Sequence, residues 1–140
     1  MSETSPIPRP LPRMDGLHGD FYRECARQGR LVFQHCQECV TFRHPPRILC
    51  AECASDRVSW VPSTGRGTIF SWTVTYQAPH PAFAGQVPYA VVVVELEEGV
   101  RIVASLRELA PEHLELGLPV EVVIEEVSEG VPLPYALPRR

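Results

Sequence analysis

The run His35-Cys36-Gln37-Glu38-Cys39, followed after ten intervening residues by Cys50-Ala51-Glu52-Cys53, decides how the rest of this chain is read. A Cys-x-x-Cys turn aims two thiolates at one point, and two such turns complete a tetrahedron around Zn²⁺ with Zn–S distances of ~2.3 Å. Cys36, Cys39, Cys50 and Cys53 then supply every ligand, and no position is left for water or substrate. The spacing predicts a structural site rather than a Lewis acid. Two disulfides are the competing arrangement, but nothing in the sequence marks a secreted chain in which they would persist. His35 and His44 flank the cluster and, with four thiolates present, are expected to be ordinary surface histidines.

Upstream, Asp20 can cap a short helix over Phe21 to Gln28 that Gly29 closes. Phe21 and Cys25 share one face of it, so the fifth cysteine reads as a small buried apolar residue. Leu31-Val32-Phe33 is a brief strand into the first knuckle, and Val58-Ser59-Trp60-Val61 a strand out of the second. From Gly65 the hydrophobic period becomes two. Over residues 68–76 one face is Phe70, Trp72, Val74 and Tyr76, and an aromatic face of that kind is ordinarily core. A proline-rich loop over 78–88 follows. Tyr89 to Leu96 is apolar on both faces, as in a covered strand, and Glu97-Glu98-Gly99 turns it into a hairpin with residues 100–106. Leu109 to Leu116 is a short helix or turn, and residues 120–125 form a last strand with an acidic outer face. About five strands in this order suit an OB-fold barrel. The expected organisation is a flexible arm (1–16), a helix with a zinc ribbon (17–62), the barrel (63–130) and an extended tail (131–140). The fold class is therefore mainly β with a short N-terminal helical segment.

The chain has 140 residues, 44% hydrophobic and 21% charged, which is a globular composition. Residues 1–65 carry net charge +1 and residues 66–140 carry −5, with arginine as the sole basic residue besides histidine. The absence of lysine excludes Schiff-base and P-loop lysine chemistry. An acidic barrel also argues against a single-stranded nucleic-acid groove, which needs positive charge beside its aromatics. Met1 to Met14 lacks an apolar leader core and no run is long enough to span a bilayer, so a cytoplasmic location without membrane association is expected. No nucleophile elbow, Gly-rich phosphate loop or paired Cys–His appears, so no catalytic and no cofactor-binding residue is named beyond the metal ligands.

Several of these residues recur together. The helix ends in Gly29-Arg30-Leu31 ahead of the first cysteine pair, and Pro45-Pro46-Arg47 precedes the second. Trp60, Ser63-Thr64-Gly65-Arg66-Gly67-Thr68, Pro88-Tyr89, Glu98-Gly99-Val100-Arg101 and Gly117-Leu118-Pro119-Val120 follow. In combination they resemble the small zinc-ribbon plus OB-fold proteins catalogued as a domain of unknown function (DUF35) and associated with acyl-CoA metabolism. The resemblance spans roughly residues 17–137. It implies a helical N-terminal segment, a rubredoxin-like ribbon liganded by the four cysteines, and a C-terminal OB barrel. It also implies a non-catalytic accessory role beside thiolase-like or enoyl-CoA hydratase-like enzymes acting on acyl-CoA thioesters, sterol side chains included. Arg66 and Arg101 are the basic residues that would meet CoA phosphates under that reading, and the Phe70, Trp72 and Tyr76 face would meet an acyl group or adenine. Val40 and Ala54 stand where the family often has glycine after each cysteine pair, so a slightly different knuckle turn is expected.

Overall fold

The computed structural model describes residues 8–139. Helix α1 runs from Gly16 to Gln28. It begins earlier than Asp20, because Asp15 takes the extended N-cap position and Asp20 lies within the helix, ion-paired to Arg23. The C-terminus is as expected, with Gly29 in the left-handed region (φ 66°) and its N–H bonded to the Cys25 carbonyl. Phe21 and Cys25 are both buried on the inner face.

Three strands build the ribbon. β1 (Val32–Cys36) is the centre, with β2 (Phe42–Arg43) and β3 (Val58–Pro62) antiparallel on its two sides. Val32 and Phe33 are fully buried, and one continuous hydrophobic core joins them and α1 to the barrel interior. The two modules therefore share a core, as a ribbon of this size requires.

The barrel comprises β4 (Arg66–Thr75), β5 (Tyr89–Leu96), β6 (Arg101–Leu106), β7 (Pro119–Ser128) and β8 (Val131–Pro138), closed in the order β4-β5-β6-β8-β7. Its interior is filled by Ile69, Ala90, Val92, Val94, Ile102, Ala104, Val120 and Val122. Residues 109–116 form only a single 3₁₀ turn, Pro111–His113. The outer face of β5 is half-buried at Tyr89, Val91 and Val93 and exposed at Glu95, so the strand is fully covered on one side only.

Two further expectations need correction. The segment 131–140, expected as a tail outside the barrel, contributes β8. This strand pairs antiparallel with β7 from Ser128↔Val131 to Val120↔Pro138, and parallel with β6 at Ser105↔Tyr135 and Leu106↔Ala136. The barrel thus extends past residue 130. Alternate residues of a strand present their backbone polar groups to opposite edges, which explains how this strand tolerates prolines. Arg107 N–H donates to the Ala136 carbonyl, so even-numbered positions face β6, while Arg139 N–H donates to Pro119 on the β7 side. Pro132, Pro134 and Pro138 all fall on the even edge, where little pairing asks for an N–H.

The second correction concerns the aromatic face of β4. A β-bulge shifts the register between Ile69↔Val94 and Ser71↔Val93. Ile69 therefore points into the core at 2% exposure, and Phe70 is thrown outside at 44%. Beyond the bulge Trp72 and Val74 pair with the core residues Val92 and Ala90. Trp72 nonetheless remains 37% exposed, because β4 pairs with β7 only over Arg66 to Thr68. Tyr76, just past the strand end, is exposed.

Of the expected flexible arm, residues 1–7 lie outside the described residues. Arg9 is docked on the barrel: its Nη1 donates to the Tyr135 hydroxyl at 3.3 Å, and its guanidinium lies 5.5 Å from the Phe83 ring centroid.

Candidate metal centre

The two cysteine knuckles repeat one backbone design. Cys36 N–H donates to the Thr41 carbonyl and Val40 N–H to the Cys36 carbonyl; Cys50 N–H donates to Ser55 and Ala54 N–H to Cys50. Closing each turn requires a left-handed residue, and Val40 (φ 62°) and Ala54 (φ 61°) adopt it without being glycine. The turn is thus the same at both knuckles, with Val40 and Ala54 in the left-handed conformation that glycine favours.

The loop between the knuckles is held by a buried side chain that the sequence reading missed. Gln34, 3% exposed, accepts from Arg43 Nε at 2.9 Å and from Arg47 N–H at 2.8 Å. A polar residue inside an apolar strand was the one available signal, since a buried amide needs partners.

All four thiol sulfurs of Cys36, Cys39, Cys50 and Cys53 lie within 4.8 Å of one another. Cys36 and Cys53 approach to 3.6 Å and Cys39 and Cys50 to 3.4 Å. A disulfide needs ~2.0 Å, whereas the edge of a tetrahedron with ~2.3 Å metal–sulfur bonds is ~3.8 Å. The sulfur positions therefore fit a thiophilic tetrahedral ion and do not fit disulfides. Backbone N–H groups of Cys39 and Glu38 hold the Cys36 thiol below its ordinary range, and those of Cys53 and Glu52 do the same for Cys50. Both effects favour the thiolate that a metal takes; at Cys53 the Ser55 N–H acts the same way, but burial and the neighbouring Cys36, Cys39 and Cys50 thiols outweigh it and push the thiol up to about 12.

The neighbouring histidines stand apart. His35 packs on Phe42 with ring centroids 4.6 Å apart. His44 is not a surface residue, contrary to expectation. It is half-buried against Phe21 at 4.6 Å and Phe33 at 5.0 Å, and desolvation lowers its pKa to about 4. Burial likewise pushes the Cys25 thiol up to about 11, which keeps it an inert apolar side chain.

Of the other sequence-selected residues, only Arg101 and Phe70 are seen in contact among the described residues. Arg66 is exposed at the start of β4, and Arg101 stacks 3.7 Å over Phe70 while bonding Glu95 at 3.1 Å. Phe83 lines a cavity beside the start of β5 and the end of β6.

A four-thiol ribbon joined by a shared core to a five-stranded OB barrel defines a zinc-ribbon/OB-fold protein. The profile of the rubredoxin-like zinc ribbon domain of ChsH2 matches residues 23–59, and that of the ChsH2 C-terminal OB-fold domain matches residues 60–125. A DUF35 domain-containing scaffold protein of Methanothermobacter thermautotrophicus is 32% identical over 109 residues, covering 77% of this chain and 81% of that protein. The chain belongs to the DUF35 family. A probable enoyl-CoA hydratase alpha subunit of Thermomonospora curvata is 40% identical over 131 residues, 94% of this chain. The 3-oxo-4,17-pregnadiene-20-carboxyl-CoA hydratase alpha subunit of Mycobacterium tuberculosis is 39% identical over 80 residues. The chain spans 40% of the first hydratase subunit's length and 25% of the second's. A solved structure described as the Ltp2-ChsH2(DUF35) aldolase matches with TM-score 0.78 and 40% identity, over 93% of this chain and 98% of that one.

Proposed function

We propose that this chain is a non-catalytic accessory subunit of an enzyme complex acting on acyl-CoA thioesters, with a thiolase-like or hydratase-like partner carrying the chemistry. The observation that carries this reading is the near full-length match, on both sides, to the DUF35 chain of an aldolase assembly. Relatives that are hydratase alpha subunits support the acyl-CoA class, and the pregnadiene-carboxyl-CoA subunit supports a sterol side chain as the finer substrate. Cys36, Cys39, Cys50 and Cys53 hold structural Zn²⁺ in this reading, and the four thiolates leave it no open coordination position. The ion supplies folding energy to the ribbon rather than Lewis acidity. The partner-facing surface takes in the ribbon and the 78–88 loop, together with the exposed Phe70 and Tyr76, whose large apolar faces are the kind that anchor interfaces.

Co-expression with a thiolase-like or hydratase-like protein from the same genome, followed by gel filtration and an acyl-CoA assay, tests the reading. Co-elution with activity that neither protein has alone is expected. A fully active, soluble partner by itself, or acyl-CoA turnover by this chain alone, overturns it.

Exposed Phe70, Trp72 and Tyr76 are the one observation favouring a second reading, single-stranded nucleic-acid binding. The acidic barrel opposes it: Arg101, the cation nearest Phe70, is paired to Glu95. Fluorescent oligonucleotides at physiological salt are expected to bind no better than to an unrelated acidic protein; salt-sensitive micromolar binding would revive this reading.

A further inference from the structure

A cavity of about 480 Å³ lies between the 81–88 loop, the start of β5, the end of β6 and Tyr135 of β8. Its volume is in the range of small-molecule sites. Its lining contains two arginines, Arg9 and Arg107, and no carboxylate, in a chain of net charge −4. Glu125 neutralises Arg107, which also stacks with its guanidinium carbon 3.6 Å from the Tyr135 ring centroid. Arg9 has no acidic partner among the described residues. It is held by the Tyr135 hydroxyl and the Phe83 ring, and its Nε is buried with no hydrogen-bond partner among the described residues. A guanidinium that lines a cavity without a carboxylate partner offers an incoming oxyanion a charge-assisted bond. The walls beside it include the aromatic residues Phe83, Tyr89 and Tyr135, and Ser105 also lines the cavity.

We propose that this cavity binds an anionic group, phosphate or carboxylate, carried on a planar or apolar body. Arg9 is its principal charge partner and Arg107 with Tyr135 its floor. The phosphorylated nucleotide end of a CoA thioester is one ligand of this class, and that identification alone rests on the function proposed above. The anion site itself does not.

Titration calorimetry on the isolated, zinc-loaded chain tests it, with adenosine 3′,5′-bisphosphate, inorganic phosphate and adenosine as probes. Saturable bisphosphate binding, competed by phosphate and weakened about tenfold or more by Arg9→Gln, is expected. Arg107→Gln is expected to weaken it as well, and Arg27→Gln, at an exposed helix position paired to Glu24 and outside the cavity lining, to leave it unchanged. Thermal melting of each variant establishes that the fold is retained. Absence of saturable binding to folded protein, binding indifferent to Arg9→Gln and Arg107→Gln, or adenosine binding as tightly as its bisphosphate overturns the proposal. Because no partner protein is present, failure here leaves co-elution and complex activity untouched, and failure of those leaves this measurement standing.

Discussion

Val40 holds a left-handed backbone with a β-branched side chain that is 69% exposed and so has little packing to lose. That conformation costs an L-residue about 1–2 kcal/mol, while glycine's extra freedom when unfolded offsets about 0.5–1 kcal/mol. Val40→Gly is expected to stabilise the zinc-loaded protein by roughly 0.5–1 kcal/mol, read from denaturant melts; a loss of stability would mean the turn is not strained. His44 gives a pH signature. Its folded pKa of about 4 lies below the ordinary 6.5, so below 6.5 the unfolded chain binds the extra proton. The stability it contributes is complete above about pH 6.5 and falls as pH drops toward 4, by at most about 3 kcal/mol. His44→Gln is expected to flatten the difference between melts at about pH 7 and about pH 5, and an unchanged slope would count against the burial argument. The clustering of the four cysteines was legible because their spacing is local. His44 was not, since its burial comes from Phe21 and Phe33, more than ten residues away in sequence.

At the scale of the element, β4 shows how one inserted residue defeats a periodicity argument. Alternation assigns Phe70, Trp72 and Val74 to a single face, and the bulge at Phe70 splits them. No turn residue announces it in the sequence. Ahead of the bulge, Gly67 sits where a Cβ would overlap the Glu95 carbonyl and the Val94 side chain of β5. Gly67→Ala is therefore expected to destabilise the barrel by about 2 kcal/mol or more, because backbone on the partner strand has to move. Phe70→Ser is expected to change stability by less than about 1 kcal/mol while reducing co-elution with the partner. Urea melts and gel filtration separate the two; a large stability loss for Phe70→Ser would return that ring to the core. β8 was unreadable for the opposite reason. Its prolines argue against a strand until the β6 edge is known to leave their positions almost unpaired.

For the whole molecule, the shared core determines what metal loss does. Phe21, Cys25, Leu31, Val32 and Phe33 pack with barrel residues in one cluster, so the ribbon and barrel are not independent. Zinc-loaded protein is expected to unfold in a single transition with about one zinc per chain, on the order of 10 kcal/mol of metal binding serving as folding energy. Cys36→Ser or Cys53→Ser is expected to lose the metal and solubility, whereas Cys25→Ser is mild. Metal-free yet well-folded wild type would contradict this. The division into ribbon and barrel was visible from the sequence, because each module has its own period. Their fusion was not, since it depends on which way Phe33 and α1 turn once the strands are paired.

Closure by β8 also sets an order of events during synthesis. The chain emerges from its N-terminus, so both cysteine knuckles are complete long before residues 131–138 exist. A nascent chain can load metal early, yet β6 and most of β7 present open edges until the final strand arrives. Those edges are what a ribosome-associated chaperone, or a neighbouring copy on the same polysome, would meet first.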